Sequence, residues 1–408
     1  MKVLLVGVGT VGEAIARLSA QRDWLERMVL ADYSEERAFT IRDAIGDERL
    51  SAARIDASSA DAVAQLAKEH EVDLVMNAVD PQFVMPIFDG AFRAGAHYMD
   101  MAMSLSEPHP EQPFSEPGVK LGDEQFERDE QWRSAGRLAL VGMGMDPGLT
   151  DIFAKYAAKH LFDEIDEVHV RDGGDLRIEG YDFAPVFSIW TTIEECLNPP
   201  VLWERDRGWY TTEPFSAPEL FPFPQGIGPV ECVNVEHEEV LLVPRWVEAK
   251  RVSFKYALGS DFIDKLRTIH ALGMDRKDKV SVKGVEVAPR DVLAAITPDP
   301  AKVGDRMVGR AIVGTWVIGH KGGAPREAFL YQMADAAETF SDHGLQPVAW
   351  QTGFNPVLAM ELLADGTWEG AGVLGPEAFD PDPYISLLDR YGIHHDVAEM
   401  EPGIHKPT

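Results

Sequence analysis

The chain begins with a short apolar run, three glycines and a helical pattern, and this order constrains the fold more than any other feature. Residues 2–7 read KVLLVG, which is typical of a strand buried on both faces. From Val11 onward the apolar residues recur at helical spacing. The segment GVGTVG therefore lies on a strand-to-helix turn, the context in which GxGxxG indicates a dinucleotide-binding fold.

Each residue of this turn has a separate physical task in such a fold. Gly7 permits the tight turn, Gly9 lets the backbone approach a pyrophosphate, and Gly12 lets the helix pack closely on the strand. The first helical residues, Thr10 and Val11, then present unpaired N–H groups to an anion. We therefore predict that these five residues bind the phosphates of a dinucleotide.

An acidic residue closes the second predicted strand, MVLAD, at Asp32. A carboxylate at this place accepts hydrogen bonds from the adenosine ribose and repels a 2′-phosphate, so it favours NAD over NADP. Ser34 and Arg37 follow closely and soften that preference. The sequence predicts NAD as the cofactor and leaves NADP open.

Further strands are predicted at 54–58, 72–81, 97–102 and 138–144, with helices between them. Ligands of such open α/β sheets bind at the carboxyl ends of the strands. We therefore expect the residues at these ends to lie near the cofactor or substrate, with a plain cap or turn as the alternative for the polar ones: Asp56, Ala57, Asn77, Ala78, Val79, Asp100 and Asp146.

The strand–helix alternation lapses after about residue 160, where strands follow one another with few helices. This predicts an α/β protein with an N-terminal Rossmann domain, a doubly wound parallel sheet, at 1–145. A second, α+β domain with a mixed or antiparallel sheet follows at 146–347, and the substrate is expected to bind in the cleft between the two domains. Residues 348–408 are predicted to return as helices onto the Rossmann domain.

Composition excludes several classes of function. The net charge of −30 opposes binding to nucleic acid or to an acidic membrane, because phosphate neutralisation needs clustered Lys and Arg. No apolar run approaches the length of a membrane span, and the N-terminus lacks the apolar core of a signal peptide. Two cysteines in no CxxC pattern indicate a reducing compartment. We therefore expect a cytoplasmic location.

A compact titratable cluster stands at His237, Glu238 and Glu239. A base at this place would assist amine oxidation, which needs a neutral nitrogen, and imine hydrolysis, which needs an activated water. The alternative is a solvated acidic start of a helix, where negative charge is favourable. Twelve histidines show no HExxH or comparable spacing, so we predict no metal site.

Two further sets of residues are candidates for the substrate site. Asp146 precedes Pro-Gly and a predicted helix, which allows either a catalytic role or a cap at a domain hinge. Arg251 and Lys255 are odd-spaced on a predicted strand and share one face. They would bind a substrate carboxylate, with a surface ladder of charges as the alternative.

The segment GMGMDPGLTDIFAKYAAKHLFDEIDEV resembles the GxxPGxT segment of the saccharopine dehydrogenase-like superfamily. VNVEHEEVLL and WERDRGWYTTEP are similar to its carboxynorspermidine branch, whereas YDFAPVFS and EVAPRDVL are similar to its lysine 6-dehydrogenase branch. The resemblance extends from the first residue to about Gly392. One departure is Asp32, since the carboxynorspermidine branch is expected to use NADP.

The resemblance implies a homodimeric oxidoreductase that transfers hydride at a carbon–nitrogen bond. The implied substrate is a lysine-like amino acid or a polyamine-type secondary amine derived from one. Oxidative deamination of a terminal amine and oxidation or formation of a secondary amine are both open. A nucleotide-binding regulator that kept the fold and lost turnover is the alternative, since fold alone does not prove activity.

Overall fold

A computed structural model gives the structure of residues 1–405 and 407–408, with every side chain among them except that of residue 301. Strands and helices alternate through the first 140 residues. The strands here are β1 (Lys2–Val6), β2 (Arg27–Asp32), β3 (Leu50–Arg54), β4 (Leu74–Asn77), β5 (His97–Met99) and β6 (Leu138–Leu140). The helices are α1 (Thr10–Ser19), α2 (Glu35–Ile45), α3 (Ala60–Glu69), α4 (Val84–Ala94), α5 (Asp123–Phe126) and α6 (Asp129–Ser134).

These strands form a parallel sheet in the order β6-β5-β4-β1-β2-β3. Strand β1 lies between β2 and β4, and its last four residues are buried, which explains its unbroken apolar sequence. The third strand ends at Arg54, four residues before the end predicted from the sequence. Asp56 is the reason, since its carboxylate accepts bonds from the backbone and side chain of Ser58 and turns the chain there.

A second domain follows, in which strands predominate. Its strands are β7 (Glu164–Gly174), β8 (Arg177–Ile178), β9 (Val201–Glu204), β10 (Gly208–Thr211), β11 (Glu219–Phe223), β12 (Gly228–Asn234), β13 (Arg251–Tyr256), β14 (Val280–Val282), β15 (Val285–Val287), β16 (Met307–Val308), β17 (Arg310–Lys321) and β18 (Ala324–Asp335). Its helices are α7 (Leu149–Tyr156), α8 (Ile189–Leu197), α9 (Glu239–Trp246), α10 (Ser260–Ala271), α11 (Pro289–Ile296) and α12 (Ala336–His343).

The large sheet of this domain is mixed, which confirms the predicted fold class. The strands lie in the order β10-β9-β13-β7-β17-β18. Strand β12 pairs with β13 and also with β11. The pair β13 and β7 is parallel, whereas β17 is antiparallel to both β7 and β18. Because β7 and β13 run in the same direction, their carboxyl ends bring Asp172 and Tyr256 side by side.

The remaining residues contribute to both sheets. They form α13 (Pro347–Ala364), β19 (Gly372–Leu374), α14 (Pro381–Arg390) and β20 (His395–Met400). Helix α13 packs on α1, where Gly353 lies against Ala14 so closely that a Cβ on the glycine would stand 2.7 Å from the alanine Cβ. The segment is less helical than predicted, because β19 extends the first sheet beside β6 and β20 pairs with β18.

Among the described residues, no helix has both the length and the apolar character needed to cross a membrane.

The two sheets meet across a cleft. The carboxyl ends of β1, β2, β4 and β5 face the carboxyl ends of β7 and β13, and helix α8 and the residues just before α9 lie beside them. This arrangement places the cleft where an open α/β sheet binds its ligands.

Candidate active site

A cavity of about 540 Å³ occupies the cleft between the two domains. Most of the residues predicted from the sequence to bind cofactor or to act on substrate line it. These are Gly7, Gly9, Thr10, Val11, Asp32, Asp56, Ala57, Asn77, Ala78, Val79, Asp100, Asp146 and His237. The second domain closes the cavity with Asp172, Ser188, Thr191, Glu195 and Tyr256.

The glycine-rich loop has the geometry of a phosphate cradle. Gly7 has a φ of +94°, and a Cβ there would stand 2.4 Å from Val79 Cγ1. Gly9 faces open space, with no atom within 4 Å of the position of a Cβ. Helix α1 has no side-chain cap, so the N–H groups of its first turn are available to an anion. These features fit the pyrophosphate of a dinucleotide.

Gly12 and Ser34 support the cradle from behind and do not line the cavity. A Cβ on Gly12 would stand 2.1 Å from the carbonyl oxygen of Gly7, so the residue allows the close approach of helix and loop. The hydroxyl of Ser34 accepts a bond of 3.3 Å from Arg37 N and caps α2. The sequence predicts that Gly12 and Ser34 bind the cofactor. In the structure both residues shape the loops that border the cavity.

Asp32 lies at the edge of the cradle and binds the backbone on both sides. Its Oδ2 accepts a bond from Val8 N and its Oδ1 accepts one from Ser34 N, both at 2.9 Å. The side chain of Arg37 lines the same end of the cavity. This end of the cavity therefore carries a carboxylate and a guanidinium.

Asn77 and Asp100 hold the loops that follow β4 and β5. Asn77 Oδ1 accepts a bond from Val79 N at 3.1 Å, and its amide donates to the Tyr98 hydroxyl at 3.0 Å. Asp100 accepts bonds from Gly142 N at 2.7 Å and from the Gln125 side chain at 2.8 Å. Burial raises the pKa of Asp100 to about 7. Both residues border the cavity, and their side chains form hydrogen bonds that hold the loops.

His237 is the centre of a buried acidic cluster. Its Nδ1 lies 2.6 Å from Glu239 Oε2 and 3.5 Å from Glu238 Oε2, and its ring stacks on Phe254 with 3.8 Å between the ring centroids. Burial lowers the pKa of His237, but the carboxylates of Glu239, Glu238 and Asp146 outweigh that effect and raise it well above its usual value. The surrounding carboxylates therefore favour the imidazolium form of the ring.

Glu239 contacts the imidazole of His237, which lines the cavity. It is fully buried, accepts a bond of 3.1 Å from the Thr150 hydroxyl, and does not line the cavity itself. Glu238 accepts a bond of 3.2 Å from Met103 N and lines a smaller neighbouring cavity. The prediction that these residues form one titratable unit with His237 agrees with their positions, and the alternative of a solvated helix start does not.

Sequence reasoning missed four carboxyl groups of the cavity wall, those of Asp80, Asp172, Glu195 and Asp299. Asp172 stands at the end of β7, and burial raises its pKa to about 7. Glu195 stands on α8, and burial raises its pKa to about 8. Burial also raises the pKa of Asp146 well above its usual value. The sequence held one usable signal, the position of Asp172 near the carboxyl end of a predicted strand, IDEVHVRDG.

Arg251 and Lys255 do not lie at the cavity, which corrects the prediction that they bind a substrate carboxylate. Side chains alternate along β13, and its cavity face carries Phe254 and Tyr256. Lys255 is buried on the other face, where its Nζ lies 2.8 Å from Glu219 Oε2. Arg251 lies on that face too, with its Nη1 3.6 Å from a carboxylate oxygen of Glu167.

Asp146, His237 and Glu239 each offer an atom that could ligate a metal, and these atoms lie within 4.8 Å of one another. A metal ligand must be a neutral imidazole, whereas the carboxylates around His237 favour its protonated form. The ion pair accounts for the arrangement without a metal. The absence of a metal site stays a prediction.

Comparisons with known proteins agree with this geometry. Residues 3–140 match the family described as "Saccharopine dehydrogenase NADP binding domain", and residues 144–393 match "Saccharopine dehydrogenase C-terminal domain". The chain is 31% identical over 423 residues to carboxynorspermidine synthase of Vibrio alginolyticus, with 100% of each chain covered. It is 29% identical over 399 residues to carboxyaminopropylagmatine dehydrogenase of Synechocystis sp., with 96% of each chain covered.

Among solved structures, the fold is similar to the saccharopine dehydrogenase (L-Glu forming) of Saccharomyces cerevisiae. The TM-score is 0.67 at 16% identity, and the match covers 98% of this chain and 100% of the yeast chain. The two family matches and the full-length relatives confirm the resemblance stated from the sequence. The chain belongs to the saccharopine dehydrogenase family of NAD(P)-dependent oxidoreductases.

Proposed function

We propose that this enzyme transfers hydride between NAD(P) and the carbon of a secondary amine in a carboxylated polyamine. The observation that carries the proposal is the charge of the cavity wall. Among the described residues that line the cavity, eight are acidic, whereas Arg37 is the one Lys or Arg and lies at the ribose end. The acidic residues are Asp32, Asp56, Asp80, Asp100, Asp146, Asp172, Glu195 and Asp299.

This charge distribution suits a substrate that carries more ammonium than carboxylate groups. Saccharopine carries a glutarate half that needs cationic anchors, and the two candidates from the sequence, Arg251 and Lys255, face away from the cavity. A polyamine carries ammonium groups that buried carboxylates stabilise. The names of the relatives, which refer to carboxylated polyamines, support the same class of substrate.

The balanced reaction consumes water in the oxidative direction. A secondary amine, NAD(P)⁺ and water give an aldehyde, a primary amine, NAD(P)H and a proton. The bound dinucleotide supplies the hydride acceptor. Before hydride leaves, the substrate ammonium must lose its proton, because only a neutral nitrogen donates its lone pair to the adjacent carbon. The aldehyde then forms when water adds to the resulting iminium.

Two groups of the cavity wall suit the proton transfers. Asp172 has a pKa of about 7 because of burial, so it exchanges a proton near neutral pH and serves as the base for the substrate ammonium. His237 binds Glu239 through Nδ1, and its Nε2 has no hydrogen-bond partner among the described residues. That nitrogen is available to the water or hydroxyl oxygen that enters or leaves at the reacting carbon.

The substrate class is tested by following NADH absorbance with NAD at pH 9. Carboxynorspermidine, saccharopine and lysine are supplied in turn, and NADP replaces NAD in a parallel series. We expect carboxynorspermidine to give the largest kcat/KM, because its ammonium groups match the acidic wall. Fastest turnover of saccharopine would contradict the proposal. Release of ammonia from lysine at the fastest rate would identify a terminal-amine dehydrogenase instead.

The role of the imidazolium is tested with Glu239→Gln. We expect kcat/KM for the best amine to fall by at least about 100-fold, within the range that acid–base groups supply. The pKa of His237 should fall with the loss of its carboxylate partner, so the limb of the pH–rate profile that requires the imidazolium moves to lower pH. The dissociation constant of NADH should not change, since Glu239 does not line the dinucleotide site.

A matched control for this variant is Glu248→Gln, which removes one exposed carboxylate beyond the end of α9. It should retain the wild-type rate and profile. Glu239→Asp should restore part of the activity and move the pH profile back towards the wild type. An unchanged rate and profile in Glu239→Gln would remove this residue from the catalytic unit.

The choice of cofactor is tested with Asp32→Asn. We propose that the Asp32 carboxylate makes NAD the preferred cofactor, because it accepts charged hydrogen bonds from the ribose worth about 1.5–3 kcal/mol. Loss of the charge should weaken NADH by about 10- to 150-fold and reduce the discrimination against NADPH. Fluorescence titration of both reduced cofactors measures this. Tighter binding of NADPH than of NADH by the wild type would contradict it.

A further inference from the structure

A second, smaller cavity opens from the substrate end of the main one. It shares Pro81, Ala102, Thr191 and Glu195 with the main cavity. Its volume is about 20 Å³, enough for one group the size of a water molecule. The shared residues follow β4 and β5 or belong to α8, so the small cavity lies beyond the loops that border the cleft.

The wall of the small cavity combines apolar side chains with carboxylates. Met103, Leu105 and Leu121 supply apolar surface, and the acidic members are Glu194, Glu195, Glu236 and Glu238. Glu194 is already neutralised, since Lys277 Nζ lies 2.6 Å from its Oε1 and Arg290 binds the same oxygen. The other three carboxyl groups have no Lys or Arg partner among the described residues.

Two of these carboxyl groups have unused hydrogen-bonding capacity. Glu236 is 3% exposed, and its Oε2 accepts bonds from Ser106 Oγ at 2.8 Å and from the Asn198 amide at 3.0 Å. Glu236 lines the small cavity, and its Oε1 has no hydrogen-bond partner among the described residues. The side chain of Glu195 lines both cavities and makes no hydrogen bond within the described structure. These carboxyl oxygens belong to residues that line the cavity, and they can accept hydrogen bonds from a ligand there.

We propose that the small cavity binds the distal primary ammonium of the polyamine substrate, with Glu195 and Glu236 as its acceptors. This inference rests on the proposed function and names the part of the substrate that the enzyme selects. An ammonium has the size of a water molecule and donates three hydrogen bonds, whereas a carboxylate is repelled here and a planar guanidinium exceeds the space.

The protonation of the carboxyl groups provides a direct signature of binding. Burial raises the pKa of both Glu195 and Glu236 to about 8, so both groups hold protons for much of the time at pH 7. A cation that enters the cavity favours the ionised carboxylates. Entry of the ammonium at pH 7 therefore releases protons to the buffer, and this release is measurable without turnover.

The binding test compares two amines of equal length on the full-length enzyme saturated with NADH. 1,3-Diaminopropane, the diamine half of carboxynorspermidine, carries two ammonium groups, and n-butylamine replaces one of them with a methyl group. Calorimetry at pH 7 in two buffers of different ionisation enthalpy gives the affinity and the number of protons released. We expect the diamine to bind at least about 10-fold more tightly and to release more protons.

Three variants assign this preference to the small cavity. Glu195→Gln breaks no side-chain hydrogen bond, and Glu236→Gln keeps an amide oxygen for Ser106 and Asn198. Each should weaken the diamine by about 10- to 100-fold and reduce the proton release. The control Glu111→Gln removes an exposed carboxylate and should behave as the wild type.

Other results would overturn the inference in distinguishable ways. Equal binding of the two amines by the wild type, or unchanged diamine binding in both Glu195→Gln and Glu236→Gln, would reject the ammonium site. Tighter binding of agmatine than of 1,3-diaminopropane would reject the choice of ammonium over guanidinium. If carboxynorspermidine still turned over fastest in these cases, the proposed function would stand and only the ammonium site would fail.

Discussion

The ion pair between His237 and Glu239 is the interaction on which the rest of the active site depends. It is buried, and burial of a single charge in such a place would be costly without a partner. Thr150 from α7 donates to Glu239, and Phe254 from β13 stacks on the imidazole. The pair therefore joins three elements of the second domain and fixes one imidazole face at the cavity.

The same pair explains how so many acids tolerate burial around one cavity. Asp146, Asp172 and Glu195 all feel the positive charge of His237, which lowers their pKa values against the opposing effect of burial. Burial nevertheless prevails and keeps all three pKa values raised, to about 7 for Asp172 and about 8 for Glu195, so these two carboxyls take up or release protons near neutral pH. In the proposed reaction this property serves twice, once to deprotonate the reacting nitrogen and once to receive the distal ammonium.

The dinucleotide half of the site was predictable because its signal is local. Gly7, Gly9 and Asp32 lie within one strand–helix–strand unit, so the spacing alone predicts that they lie close together, and in the structure they line the same cavity. The sequence predicts the end of the third strand four residues too late, because the strand pattern does not reveal the turn that Asp56 makes with Ser58.

The substrate half depends on contacts between elements that are distant in the sequence. Alternation along β13 correctly placed Arg251 and Lys255 on one face, but it does not tell which face meets the cavity. That choice follows from the packing of Phe254 on His237 and from the parallel pairing of β13 with β7. Glu195 and Glu236 are about forty residues apart in the chain. A hydrogen bond from Glu236 N to the carbonyl oxygen of Glu195 holds them together in the fold.

The charge of His237 in the resting enzyme tests this account most directly. Nitrogen-15 NMR of the imidazole, assigned by comparison with His237→Asn, reports its protonation as the pH rises from 6 to 9. The groups that face it are Glu238, Glu239, Asp146, Asp172 and Glu195, and all of them favour the imidazolium as they ionise. The account predicts that His237 is still protonated at pH 8. A neutral imidazole at pH 7, near the ordinary histidine pKa of about 6.5, would contradict it.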